Sequence, residues 1–106
     1  MIFETLNESA QRGELMLVDG GLCDWHLRRD RQITIREIIV LPECQRQGIG
    51  TAMLERLKHV DSAASIFAKC PVDLPANGWY NRVGFTLEGT ETTKSGRKLN
   101  HWRLVL

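Results

Sequence analysis

The sequence predicts an α+β domain, a mixed and mostly antiparallel sheet flanked by helices. Three observations carry that prediction. Three extended segments separated by turn signals come before the first strong helix, a pattern of hairpins rather than of βαβ units. A loop with two glycines then joins the segment richest in β-branched residues to an amphipathic helix. The rest of the chain reads strand, helix, strand, strand.

The elements follow in order. Ile2, Phe3, Leu6 and Ala10 recur near helical spacing, so a short helix is expected over residues 2 to 12, ended by Gly13. Glu14 to Asp19 reads as a strand, Asp19-Gly20-Gly21 as a turn, and Leu22 to Arg28 as the returning strand of a hairpin. Arg29-Asp30-Arg31 is a polar turn, and Gln32 to Val40 is the strongest strand. Ile49, Met53, Leu57 and Val60 then form one apolar helix face, with Glu55, Arg56 and Lys58 opposite. Ser65 to Lys69 is a short buried strand. Asp73 can cap a helix running to Val83, with Pro75 tolerated in its first turn. Gly78 weakens that helix by roughly 1 kcal/mol relative to alanine unless a ligand needs the space. Phe85 to Gly89 and Lys98 to Leu106 are the last strands, joined by a turn around Ser95-Gly96.

Composition narrows the function. The 106 residues make one domain, 1–106, and contents of 42% hydrophobic and 25% charged are ordinary for a soluble globular chain. A net charge of +1 gives no attraction for nucleic acid or an anionic membrane. No apolar run approaches the roughly 18 residues of a membrane span, and Met1-Ile2-Phe3-Glu4 does not open a signal peptide. Cys23, Cys44 and Cys70 contain no C-x-x-C pair, so neither a disulfide framework nor a zinc site is indicated. A cytoplasmic protein without a metal, a nucleic-acid partner or a membrane is the expectation.

The loop Val40-Leu41-Pro42-Glu43-Cys44-Gln45-Arg46-Gln47-Gly48-Ile49-Gly50 carries the chemistry. Amides at a helix N-terminus lack intrahelical partners and sit at the positive end of the dipole. Gly48 and Gly50 let the main chain come close to a phosphate, and Arg46 adds a forked cation. A P-loop is excluded because no lysine follows Gly50, and a dinucleotide fingerprint fails at Met53.

Gln45-Arg46-Gln47-Gly48-Ile49-Gly50 after Val-Leu-Pro resembles the acetyl-CoA loop of the GNAT N-acetyltransferases, [QR]-x-x-G-x-[GA]. Ala76-Asn77-Gly78-Trp79-Tyr80-Asn81-Arg82-Val83-Gly84-Phe85 resembles the same family's A-x-x-F-Y-x-K-x-G-F block, with Trp79 for Phe and Arg82 for Lys. By element order the resemblance runs from about residue 14 to 106. The family's first strand and first helix have no evident counterpart. A second subunit supplying an edge strand, as in a homodimer, is one way of completing such a sheet.

The resemblance implies direct transfer of an acetyl group from acetyl-CoA to a primary amine of a small molecule or peptide. It implies that the main chain of Ile38, Ile39 and Val40 binds the pantetheine, and that Gln45, Arg46, Gln47, Gly48, Ile49, Gly50 and Thr51 cradle the pyrophosphate. Tyr80 falls on the general-acid position; the alternative is an aromatic anchor in the core. Asn77, one turn earlier, is a candidate CoA contact or a solvated helix residue. The general base is open. The family glutamate eleven positions before the loop glutamine is Thr34 here, and Glu37, three residues on, alternates to the opposite face. His26 and His101 are further candidates. Cys44 reads as a loop filler rather than a nucleophile. Trp25 and Trp102 read as core residues, and Arg28, Arg29 and Arg31 as a solvated turn or an attractor for the nucleotide 3′-phosphate. A non-catalytic CoA-binding regulatory or interaction module is the rival to an enzyme.

Overall fold

A computed structural model of the protein describes residues 14–106. The helix expected over residues 2 to 12 lies outside the described residues. The hairpin is formed by β1 (Leu15–Val18) and β2 (Gly21–Leu27), followed by β3 (Gln32–Val40). A single 3₁₀ turn, Pro42–Cys44, leads to α1 (Ile49–Lys58), then β4 (Ser65–Pro71), α2 (Ala76–Arg82), β5 (Thr86–Thr92) and β6 (Lys98–Val105). The six strands form one sheet in the order β1-β2-β3-β4-β6-β5. Only β3 and β4 pair in parallel. The predicted mixed, mostly antiparallel α+β arrangement is the observed one.

Both helices cover the same face of the sheet. Met53, Leu54 and Leu57 of α1 and Tyr80 of α2 pack with Cys23, Ile33, Ile35, Ile66, Ala68, Cys70, Phe85 and Trp102 in one core. The strand members sit at alternate positions, as a pleated strand with one buried face requires. The second helix is shorter than the sequence suggests: Asp73 lies outside it, Pro75 stands at its N-cap, and no side chain caps it. Its backbone amides at Asn77 and Gly78 instead bond Leu74 and Pro75 carbonyls.

Two irregularities in β3 position the site. Asp24 of β2 pairs with Glu37, but Trp25 pairs with Ile35, so Arg36 is an extra, bulged residue. Parallel pairing of β3 with β4 also stops there: it joins Gln32–Ile35 to Ser65–Ala68 and goes no further. Neither strand frays, because β2 follows β3 to Val40 and β6 follows β4 to Pro71. The sheet therefore opens between two strands that are each held from the outside. A bulge adds twist and bend to its strand, which is the physical reason β3 leaves β4 at this level.

Candidate active site

The opening exposes main chain. The Leu41 amide bonds the Gly20 carbonyl at 2.8 Å, which fixes the hydrogen-bonding parity of the β2–β3 ladder. Ile39 then turns its N–H and C=O toward β2, whereas those of Ile38 and Val40 face the gap. The Gln45 side chain occupies the Val40 carbonyl at 3.2 Å, leaving the Ile38 pair and the Val40 amide available. Of the three residues expected to offer main chain, two do so.

The loop beyond β3 presents a run of donors. Arg46 and Gly48 both have left-handed backbone, with φ of 66° and 81°. Such alternation curls successive amides into a concave nest that favours an anion. The first backbone bond at the start of α1 runs from the Ala52 amide to the Gly48 carbonyl. The six amides from Arg46 to Thr51 have no hydrogen-bond partner among the described residues. A Cβ built on Gly48 meets nothing within 4 Å, so the space above these amides is open. Cys44 faces the other way, packed so tightly on Gly20 that a Cβ there would lie 2.7 Å from its sulfur. It fills the loop, as expected.

The second sequence block folds onto the first. A Cβ on Gly50 would lie 3.4 Å from the Trp79 ring, ordinary contact, so α2 rests on the first turn of α1 through that aromatic. Trp79 and Phe85 both meet Tyr80 edge-on at centroid distances of 5.0 and 5.1 Å, and Trp102 stacks on it at 6.0 Å. The Tyr80 side chain is thus a core anchor and still has a free hydroxyl. It makes no hydrogen bond, yet no buried side-chain oxygen or nitrogen of the described residues is unpartnered, so the hydroxyl reaches solvent. Burial raises the phenol above its ordinary pKa, and Cys70, Cys23 and Glu37 push in the same direction. Those neighbours belong to β4, β2 and β3, the strands around the opening. Burial, then Asp24, pushes the Cys23 thiol up to about 12, and burial, then Asp73, also raises Cys70. Neither thiol is a nucleophile near neutral pH.

Asn77 is committed elsewhere. Its amide nitrogen donates to the Pro71 and Leu74 carbonyls, both at 2.8 Å. Its oxygen accepts from Trp102 Nε1 and Asn100 Nδ2, both at 2.9 Å. All four hydrogen-bonding positions of the side chain are used. The residue ties α2 to β4 and β6 and has nothing left for a ligand.

The parity argument against Glu37 is corrected by the bulge. Thr34 pairs with His26 and Glu37 with Asp24, and Asp24 and His26 are two residues apart on one strand. Thr34 and Glu37 therefore share a face, the one away from the helices. Glu37 is exposed and has no ion-pair or hydrogen-bond partner among the described residues. A signal was present in the sequence: Ile33, Ile35, Ile38 and Val40 step by two, three and two. That break in alternation marks an inserted residue.

The histidines have other partners. His26 Nδ1 bonds Glu14, and His101 Nε2 bonds Glu91 at 2.9 Å, next to Lys69 at 2.7 Å from the same oxygen. Arg28 pairs with Asp30 at 3.2 Å in the turn before β3. That turn and the loop after β3 lie at opposite ends of a nine-residue strand, about 30 Å apart, so the arginine cluster is a solvated turn. Among the described residues no three potential ligands are grouped as a metal site requires, and no helix is long and apolar enough to cross a membrane.

Residues 10–87 match the acetyltransferase (GNAT) domain family. A provisionally assigned GNAT-family acetyltransferase from Desulfovibrio desulfuricans superposes with TM-score 0.71 at 23% identity, over 81% of this chain and 61% of that one. A provisionally assigned streptothricin acetyltransferase from Bacillus anthracis, solved with acetyl coenzyme A, gives 0.79 at 16% identity over 95% and 68%. Ard1 from Thermoplasma volcanium gives 0.79 at 16% over 99% and 77%. These likenesses are of fold. Among curated proteins no sequence matches this chain.

Proposed function

This chain belongs to the GNAT acetyltransferases, and from that premise we propose that it moves an acetyl group from acetyl-CoA directly to a primary amine of a small molecule or peptide. The observation that carries the proposal is the opening between β3 and β4. It offers unpaired main chain at Ile38 and Val40 and leads to the six free amides of the loop. Amides of that kind suit a pyrophosphate, and Arg46 and the Thr51 hydroxyl add a cation and a further donor. Acetyl-CoA, when bound, supplies a thioester whose carbonyl carbon accepts the amine nitrogen as the carbon–sulfur bond breaks.

The chain's own groups handle the protons. Tyr80, with a raised pKa, keeps its hydroxyl protonated at neutral pH and donates that proton to the departing thiolate. Glu37, on the opposite face of the same opening, takes the proton released by the amine, directly or through a water. Its isolated negative charge also attracts an ammonium. Leu22 and Ile39 pair beside it, and Leu17 extends the row on the same face. Leu17 is 68% and Ile39 37% exposed, which favours an acceptor whose amine is carried on an apolar body.

Thermal unfolding with and without acetyl-CoA tests the donor site. A ligand that binds only the folded state adds about 2.7 kcal/mol at a hundredfold excess over Kd. The rise is expected in the wild type and absent in Gly48→Trp, whose indole fills the open space above the amides. No rise in the wild type at saturating acetyl-CoA refutes the proposal. A second reading, a CoA-binding module without turnover, keeps the same donor site. It draws on the chain spanning only 61% of the Desulfovibrio neighbour's length. CoA release from acetyl-CoA in the presence of an amine panel separates the two.

A further inference from the structure

We propose that the Arg36–Asp24 ion pair is a latch that fixes the β3 bulge in place, making both residues positioning residues for the opening and for Glu37. The proposal rests on the acetyl-transfer reading for its functional consequence and on the pairing of the strands for its structural one.

The guanidinium grips both residues between which the register shifts. Arg36 Nε and Nη2 donate to Asp24 Oδ1 at 3.3 and 3.1 Å, and Nη2 also reaches the Trp25 carbonyl at 3.0 Å. The shift lies between those same two residues, Asp24 and Trp25. Nη2 further meets Glu14 Oε1 at 3.3 Å, and the other Glu14 oxygen bonds His26. The residue before β1 and two positions on β2 are thereby tied to the one extra residue of β3.

Asp24 is only 2% exposed. A carboxylate so far from water is costly unless it is paired, and arginine, always charged and forked, is the side chain suited to pair with it. An inserted residue in a strand has several places to go. The buried carboxylate selects one of them, because only a bulge at position 36 puts the guanidinium over both Asp24 and the Trp25 carbonyl.

The position has consequences on either side. One residue before it, Ile35 is 5% exposed in the core and is the last residue of β3 to pair with β4. One residue after it stands Glu37. Moving the bulge one step toward the C-terminus would turn Glu37 to the face of Cys23, into the core. The latch therefore sets where the sheet opens and which way the exposed carboxylate points.

The test is the double variant Asp24→Asn/Arg36→Gln, which removes both charges of the pair together and leaves Glu14 its His26 partner. Acetyl-CoA binding by calorimetry and amide hydrogen exchange at Ile38 and Val40 are read in parallel, with Arg28→Gln in the distant turn as control. The expected result is a folded protein that binds acetyl-CoA at least about tenfold more weakly, a loss of about 1.4 kcal/mol. Its exchange at Ile38 and Val40 departs from wild type, and Arg28→Gln changes neither. Binding within twofold of wild type with unchanged exchange overturns the latch, even if the melting temperature falls. Should wild type itself bind no acetyl-CoA, the acetyl-transfer reading fails, and the exchange data alone decide the latch by the same criterion. Should the double variant not fold, Arg36→Lys keeps the charge and loses the fork. A shifted Asp24/Glu37 and Trp25/Ile35 register by cross-strand NOEs then supports the latch, and an intact register overturns it.

Discussion

Tyr80 and Glu37 approach the opening between β3 and β4 from opposite faces of the sheet. Tyr80 comes from the helix-covered side, where its ring is 3% exposed. Glu37 stands on the far side, close enough to act electrostatically on the phenol. In the proposed reaction, a proton donor and a proton acceptor with the sheet's gap between them serve the two ends of the acyl transfer without competing for one proton. Replacing Glu37 by Gln should lower kcat by about 10²- to 10⁴-fold and leave the acetyl-CoA KM within a few-fold. Steady-state kinetics check both, and an unchanged kcat would remove Glu37 from the mechanism.

Tyr80 separates packing from chemistry within one side chain. Its ring meets Trp79, Phe85 and Trp102, whereas its hydroxyl bonds nothing. Tyr80→Phe should therefore keep the melting temperature within a few degrees and lower kcat by about 10²-fold. Tyr80→Ala should cost about 3–5 kcal/mol of stability through the cavity it leaves. Denaturant unfolding and turnover measured on the same preparations test the pair.

Asn77 should behave as a structural residue. Asn77→Ala strands Trp102 Nε1 and Asn100 Nδ2 as donors and removes one of the bonds to the Pro71 and Leu74 carbonyls, which keep backbone partners. Unpaired groups of this sort cost about 1–3 kcal/mol each when buried. Destabilisation of at least about 2 kcal/mol is expected, with acetyl-CoA affinity preserved at temperatures where the variant is folded. A variant as stable as wild type but unable to bind acetyl-CoA would reverse this assignment.

Alkaline pH should unfold the protein. Cys23, Cys70 and Tyr80 all have raised pKa values in the folded state. For an acid held neutral by folding, the folded state binds more protons than the unfolded one once pH exceeds the unfolded pKa. Stability is thus fully present below that value and declines above it, by up to about 1.4 kcal/mol per pH unit for each group. For Cys23 the window runs from 9.0 to about 12. Urea midpoints between pH 8 and 11 should fall, and less steeply in Cys23→Ala; a flat wild-type profile would contradict the burial of these groups.

Two glycines with left-handed backbone should respond to different degrees. Gly48→Ala places a Cβ in open space and adds only left-handed strain, about 1–3 kcal/mol. Gly20→Ala carries the same strain and also drives a methyl to 2.7 Å from the Cys44 sulfur and 2.9 Å from its Cβ. Gly20→Ala should be the more destabilising by thermal melts, and equal losses would argue that the Cys44 loop yields freely.

What the sequence determined by itself is what local chemistry encodes. β3 begins at Gln32 and ends at Val40, and α1 begins at Ile49, because β-branched runs and 3.6-residue spacing are properties of adjacent residues. The two motif blocks were legible for the same reason, each being a short run with a fixed backbone demand. Tertiary structure decided everything that depends on a partner strand. Whether Glu37 faces the core or the side away from the helices turns on a bulge that exists only against β2. Whether Asn77 is free turns on Trp102, twenty-five residues away and brought near by β6. Whether Ile38 and Val40 offer main chain turns on where β4 stops pairing. Hydrogen-bonding capacity belongs to a residue, but its availability belongs to the neighbours that the fold supplies.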